Sequence, residues 1–395
     1  MTPMSQPELD RAVSAHEAFI QRRNGGQRLI LRFAVLDGLN LAGRDLREAD
    51  LSACSLIGCR LVGARLDHAN LFGADLSGAD LSKASLVRAD LRGALLRGAN
   101  LSQADLTEAD FRPGQVMRSA SDSVGQRAWR TTDASDANLS GATLDRANLG
   151  RTSAPNADFS DCTMRAATLV GAKLKSANFQ GALMEGSNFA EANLEGADLS
   201  GAVLTGTDFR KAVTSGAKTE GVLRDPTPEA MARRPVLLER LAGHQVWCLT
   251  HGKQGAQANV EGEDLRVIGD QLLKAELVGL KAAGAIMIGL RLAGATLQAA
   301  DLSRADLRGA DLARAFLRGA NLAGANLAQG DLRGADLSDL VIGGNVRKTN
   351  LAETRLRHAD LRDARVEAEQ LAAADIGGAR LPLALLTPPP IQEAC

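Results

Sequence analysis

The chain has 395 residues, 46 basic against 47 acidic side chains for a formal net charge of -1, and only 3% aromatic residues with no tyrosine. Such an even balance supplies no strong field to recruit nucleic acid or an anionic membrane, and the shortage of aromatics points to a narrow interior filled by Leu, Phe, Met and Ala. With no Arg-rich amphipathic presequence, apolar signal core or long apolar run, the chain is expected in the cytoplasm.

The first predicted element is a helix, with Leu9, Val13, His16 and Phe19 at helical spacing before the polar link "RRNGGQR". Residues 1–28 are read as an N-terminal capping helix.

From Leu31 to Phe111 every fifth residue is Leu, apart from the final Phe, and a small side chain usually stands two places before it. A period of five fits neither a 3.6-residue helix nor a two-residue strand, so the tract is a repeat solenoid. The stretch "ADLSGADLSKASLVRADLRGALLRGANLSQADLTEADF" gives the unit as small, Asp/Asn, Leu, variable, Gly or variable. It resembles the pentapeptide-repeat family, whose consensus is A(D/N)LXX. The resemblance implies an all-β, right-handed quadrilateral parallel β-helix, four pentads to a coil of twenty residues, from a bacterial source. In that geometry Leu and the small residue point inward, while Asp or Asn bonds nearby backbone where the chain turns a corner. Cys54, Cys59 and Cys162 occupy the small position and read as buried hydrophobes in a reducing compartment, not as a disulfide framework.

The phase of the inward residue sets the expected domain plan. Seventeen pentads run from Leu31 to Phe111, and fifteen more from Leu139 to Phe209, with Ala154 the one weak inward residue. Between them, residues 112–137 carry Pro113 and no sustained period, and are read as a loop excursion from a first solenoid spanning 29–213. Residues 214–258 are a linker and second capping helix: Leu237, Leu238, Leu241, Trp247 and Cys248 fall at helical spacing in "LLERLAGHQVWCL". Leu237, Leu241, His244 and Trp247 stand 228 positions after Leu9, Val13, His16 and Phe19. The chain therefore reads as a tandem duplication of a helix-plus-solenoid module. The second solenoid is placed at 259–384, in phase from Leu272 to Ile342, then slipping by one residue in "GGNVRK" to resume at Val346; residues 385–395 are expected to be a disordered tail. Ile30, Val35, Leu273, Val278, Ile286 and Ile288 fall on outward slots near the two starts, and the helices are expected to cover them and seal the open ends of the stacks.

Little in the sequence suggests chemistry. His244, Cys248 and His251 would align on one helix face as metal ligands, but the duplicated positions hold His16, Ile20 and Arg23, which favours packing. Acidic pairs follow from the repeat unit, and neither a P-loop nor a dinucleotide fingerprint occurs. No enzyme activity, cofactor, direct nucleic-acid contact or membrane contact is expected. The best interaction candidate is the excursion at 112–137, where Trp129 stands with Arg118, Arg127 and Arg130, the composition of interface hot spots. Phe72, with Val62 and Ile57, is a second. The expected function is a non-enzymatic scaffold for an unidentified protein partner, its oligomeric state left open. The family resemblance adds an alternative, a DNA-mimicking modulator of DNA gyrase, but the ladder Asp50, Asn70, Asp90, Asp110 is flanked by Arg44, Arg47, Arg92 and Arg97.

Overall fold

The computed structural model describes residues 3–116 and 128–386, and the chain divides into two compact units, Met1–Asp225 and Pro226–Cys395. Each unit is a four-sided parallel solenoid. In the first, bridges link residues 20 apart, as in Ile30 to Asp50 to Asn70 and Asn40 to Arg60 to Asp80. Every strand is one bridged residue long, because a corner follows each inward Leu. Leu51, Leu56, Leu61 and their successors are buried, together with Ala49, Cys54 and Cys59 two places earlier. Apolar burial of this kind, one Leu and one small residue per side, is the main stabilising term along the stack. Burial also pushes the Cys59 thiol up to about 11 and the Cys54 thiol to about 12, so neither is a reactive thiolate near neutral pH.

Helix α1 (Gln6–Ile20) opens the first unit. Its start is fixed by the Glu8 carboxylate, which accepts from the Ser5 N–H at 2.9 Å and the Ser5 hydroxyl at 2.6 Å. Leu9 and Val13 join the solenoid core. The helix also supplies partners that a preceding coil would otherwise provide. Within the stack, Leu31 N–H donates to the Asp50 carbonyl and Asp50 N–H to the Leu29 carbonyl. At the first coil Met4 N–H donates to the Val35 carbonyl at 3.0 Å. The Gln6 carboxamide donates to the Asn40 carbonyl at 2.9 Å and accepts the Asn40 N–H at 2.8 Å. Glu17 accepts the Asp45 N–H at 3.2 Å. His16 is fully buried; its Nδ1 accepts the Leu29 N–H at 3.1 Å, which leaves Nε2 to donate to the Arg47 carbonyl at 3.0 Å. The outward apolar pair is covered unevenly: Ile30 remains 55% exposed while Val35 is half-buried, because the helix packs over the end of the core.

The ladder of the first unit runs to the Val203–Leu223 bridge, past Phe209, although Thr214 and Thr219 stand where inward Leu would continue the pattern. Helix α2 (Pro228–Leu249) opens the second unit, with Thr227 Oγ1 accepting the Ala230 N–H at 3.2 Å. It starts nine residues before Leu237 because Pro228 sits in its first turn, where a missing N–H costs nothing. His244 repeats the His16 contact, its Nδ1 accepting the Ala258 N–H at 3.1 Å.

The second ladder begins at Asn259, which bridges Lys281. A 3-10 helix over Leu265–Leu272 adds two residues to this coil, so the inward Leu265 and Leu272 are seven apart and the start escapes a five-residue pattern. Of the outward apolar residues here, Leu273 is 39% exposed whereas Ile288 is buried. The expected slip at "GGNVRK" is a larger event. Asn321 bridges Asn350, 29 positions on rather than 20, so nine extra residues leave the coil as a hairpin. It consists of β3 (Leu340–Ile342) and β4 (Asn345–Arg347), and Ile342 and Val346 are 66% and 58% exposed rather than inward. Helices α3 (Ala368–Leu371) and α4 (Leu383–Leu386) follow; the expected tail lies, from residue 387, outside the described residues.

Candidate interaction site

The excursion of the first unit is also a hairpin on the solenoid wall. Leu95 bridges Asp133, 38 positions on rather than 20, so 18 residues are inserted. Asp133, Ala134 and Ala137 already belong to the next coil, the two alanines fully packed, which shortens the excursion from the expected 112–137. Strands β1 (Gly114–Val116) and β2 (Ala128–Arg130) pair antiparallel, with Gln115 opposite Trp129.

Three contacts seat the hairpin. Val116 is buried over Gly73 and Gly93, where a Cβ on Gly93 would lie 3.1 Å from Val116 Cγ1 and 3.3 Å from the Arg130 carbonyl oxygen. The Thr132 hydroxyl oxygen, buried, accepts the Gly93 N–H at 2.8 Å and lies 3.1 Å from the Arg112 carbonyl. The Arg130 guanidinium donates to the Gly73 and Gly93 carbonyls, and its burial lowers its pKa. Arg130 therefore holds the hairpin down, and its charge faces backbone. Trp129 takes the opposite face and is 72% exposed. Arg118 and Arg127 lie outside the described residues.

Beside the indole is a cleft of about 710 Å³ lined by Arg92, Arg112, Pro113, Trp129, Gly150, Arg151 and Val170. Two of its cations are partnered, Arg92 by Asp90 and Arg112 by Asp110, each at 2.7 Å. Arg151 is exposed and makes no ion pair among the described residues. Phe72 is not part of this cleft: its ring lies under the hairpin, 2.7 Å from where a Cβ on Gly114 would stand, with the Arg92 guanidinium 5.4 Å from its centroid. Sequence reasoning found Trp129 by its place among arginines in the excursion, and missed Arg151 because it looks like an ordinary repeat residue and Arg112 because it stands at the edge of the excursion.

A local pattern governs the charge of the walls. Wherever Asp-Leu-Arg or Asp-Phe-Arg occurs, the Arg folds back on the Asp two places before it: Asp45–Arg47, Asp90–Arg92, Asp110–Arg112, Asp208–Arg210, Asp264–Arg266, Asp306–Arg308, Asp331–Arg333 and Asp360–Arg362 all pair at 2.6–2.7 Å. The Asp110 carboxyl is held below its usual range by these contacts despite its burial.

In α2, His244 Nε2 lies 3.6 Å from Cys248 Sγ while Nδ1 accepts from backbone, and the imidazole stacks on Trp247 with centroids 5.6 Å apart. Among the described residues no helix is long and apolar enough to cross a membrane.

A family model described as pentapeptide repeats matches in eight copies, at residues 34–73, 74–112, 135–171, 144–181, 167–206, 187–218, 275–312 and 300–339, together more than half of the chain. No curated protein matches. Similar solved structures include HetL, a pentapeptide repeat protein involved in heterocyst differentiation regulation from the cyanobacterium Nostoc sp. strain PCC 7120, at 29% identity over 55% of this chain and 96% of that one, TM-score 0.38. Rfr23 of the cyanobacterium Cyanothece 51142 is 29% identical over 34% of this chain and 91% of its own, TM-score 0.26. Full-length QnrB1, a plasmid-mediated fluoroquinolone resistance protein, is 20% identical over 53% of this chain and 91% of its own, TM-score 0.24.

Proposed function

This chain belongs to the pentapeptide-repeat family, whose fold is the right-handed β-helix, and from that premise we propose that it is a non-enzymatic protein-interaction scaffold in the cytoplasm. In this reading 29–223 and 259–384 are two rigid solenoid modules, the first longer than the 29–213 read from the sequence, each sealed at its N-terminal end by a helix, α1 or α2. The partner engages the hairpin of the first unit through Trp129, with Arg112 and Arg151 at its rim. The observation that carries the proposal is the 72% exposed indole beside a cleft with three arginines. An aromatic anchor next to guanidinium groups is the usual make-up of a protein–protein hot spot. The walls elsewhere expose single apolar side chains such as Ile57 and Phe316, without the combination of an exposed indole and a cleft with three arginines.

The eight Asp-x-Arg pairs weigh against mimicry of DNA for gyrase. B-DNA carries one negative charge per roughly 1.7 Å. Mimicry needs dense negative charge along one face, and here much of the carboxylate charge is neutralised within its own pentad.

The test is chemical crosslinking of the protein in a native extract, with the intact chain and with residues 113–131 replaced by a short Gly/Ser link. Thr132 stays, because it closes the coil. The scaffold reading expects a captured protein that is lost with the replacement, while a solenoid tolerates the loss of a corner excursion. Capture that survives the replacement would move binding to the walls. Gyrase inhibition or drug protection that depends on the hairpin, followed by supercoiling, would favour the alternative.

A further inference from the structure

The two hairpins are the same device. In the second unit the Thr349 hydroxyl oxygen accepts the Gly319 N–H at 2.7 Å and lies 2.8 Å from the Ser338 carbonyl, as Thr132 does with Gly93 and Arg112. A Cβ on Gly319 would lie 2.7 Å from Leu340 Cβ and 3.3 Å from the Arg347 carbonyl oxygen, matching Val116 and Arg130 over Gly93. The two glycines stand one side apart in their stacks: counted from Leu29 and Ala258, whose N–H groups the two histidines accept, the bridges match Asp90 with Asn321, so Gly93 matches Gly324 and Gly319 lies one pentad earlier. The excursions therefore leave neighbouring corners, and each returns through Arg, a free position, Thr, and Asp or Asn: Arg130 to Asp133, and Arg347 to Asn350.

Register then places Trp129 opposite Gln115 in one outer face and Val346 opposite Val341 in the other. Val341 and Val346 are 57% and 58% exposed. An exposed β-branched pair on a two-stranded edge is an aggregation liability unless something covers it. Cations border both faces. Around the first stand Arg92, Arg112 and Arg151, against the carboxylates Asp90 and Asp110. Around the second stand Arg347 and Lys348, both exposed, and Arg318 on the Asp339 carbonyl, against the carboxylates Asp339 and Asp301.

We propose that each unit presents one copy of the same docking site, so that a single chain takes up two copies of one kind of ligand, an extended acidic segment carrying apolar side chains. The apolar side chains cover Trp129 in one unit and Val341 with Val346 in the other, while carboxylates meet Arg112 and Arg151, or Lys348. This rests on the reading of the first hairpin as the partner-binding element and extends it to the second.

The probe is a synthetic octapeptide of alternating Glu and Leu, titrated calorimetrically into the full chain, with an alternating Lys and Leu octapeptide as control. The expected result is two Glu/Leu peptides per chain. One should remain after Trp129→Ser with Arg151→Glu, one after Val341→Ser with Val346→Ser, and none when the four changes are combined, with melting temperatures unchanged by these exposed substitutions. In a Trp247→Phe background the emission of Trp129 should shift to the blue, reporting the first site alone. A stoichiometry of one that ignores Val341 and Val346, no binding, or equal binding of the Lys/Leu peptide overturns the proposal. Loss of the crosslinked protein on replacing 113–131, combined with any of these, leaves the scaffold reading standing while this inference fails.

Discussion

Glycine at the hairpin seat is the sharpest test of how the excursion is held. Gly78 and Gly93 occupy the same corner position of the pentad, with φ of +64° and +65°. Alanine at either meets the left-handed cost of roughly 1–2 kcal/mol, which the fold tolerates at Ala53 and Ala166, where φ is 55° and 53°. The two sites differ in what lies above them. Nothing lies within 4 Å of a Cβ on Gly78, whereas on Gly93 it would press on Val116 Cγ1 and on the Arg130 backbone. A backbone oxygen on a paired strand cannot step aside, so the hairpin must lift. Lifting exposes Val116, worth about 1.5–3 kcal/mol of burial, and weakens the Arg130 contacts. Gly93→Ala should therefore cost about 1–3 kcal/mol more than Gly78→Ala in urea unfolding, and should open the hairpin to protease. In the second unit Gly319→Ala is the stronger case, because Leu340 Cβ is only 2.7 Å away, and Gly284→Ala is its control, with nothing within 4 Å. Equal urea midpoints and equal protease resistance for Gly93→Ala and Gly78→Ala would refute the seating argument.

Leu76→Ala, at a fully buried inward position, should cost roughly 2–5 kcal/mol, against under about 1 kcal/mol for the outward Ser77→Ala, read by chemical denaturation; equal losses would mean the inward phase is misassigned. Thr349→Val strands the buried Gly319 N–H and should cost about 1–3 kcal/mol, whereas Thr132→Val should cost less, because the Gly93 N–H also reaches the Arg112 carbonyl at 3.1 Å, with Thr131→Val as a neutral exposed control. His16 gives a pH dependence. Burial holds its pKa below the usual value, with the Arg28 charge acting in the same direction and the Arg47 carbonyl, Asp45 and Glu17 opposing. The unfolded chain therefore takes up this proton first, so the stability His16 contributes is whole above about pH 6.5 and is lost as pH falls through the lower folded value. His244, whose pKa is likewise lowered mainly by burial, adds to the same trend. His16→Gln should flatten the decline below about pH 6.5 in thermal melts; an unchanged slope would remove His16 as its source.

What was legible followed from the strictness of the inward slot. Each side of the coil admits one Leu-sized and one small residue, so Leu51, Ala49 and their equivalents record the fold in every pentad, and Cys54 could be placed by position alone. What was not legible was the length of chain that leaves the coil between two inward residues. The hairpin at Leu340–Arg347 sits where Val341, Ile342 and Val346 nearly keep the five-residue spacing, so an exposed hairpin passes for a one-residue slip. A usable signal was present: two β-rich runs separated by Gly343-Gly344, both at positive φ, is the pattern of a two-residue hairpin turn. In the first hairpin eleven residues separate the strands, and no such signal survives. Arg130 was misleading for a related reason, since composition counts a guanidinium near Trp129 without telling which strand face it takes.

Comparison of the two copies inside this one chain separates support from recognition. A corner of a solenoid accepts an insertion almost anywhere, and the entropy of doubling the inserted length, from nine residues to 18, is only about 0.6 kcal/mol. Loop length is therefore weakly constrained. The seat is the same in both: glycine under the hairpin, threonine at its return and arginine on its second strand stand in both units. Between these fixed points the outer pair has changed from Gln115 and Trp129 to Val341 and Val346, yet both pairs keep an apolar side chain in solvent. If the hairpins only plugged the wall, nothing would resist replacement of those outer residues by polar ones, and a polar pair would lower the aggregation risk. Retention of apolar outer residues on a retained seat is what a surface used for binding requires.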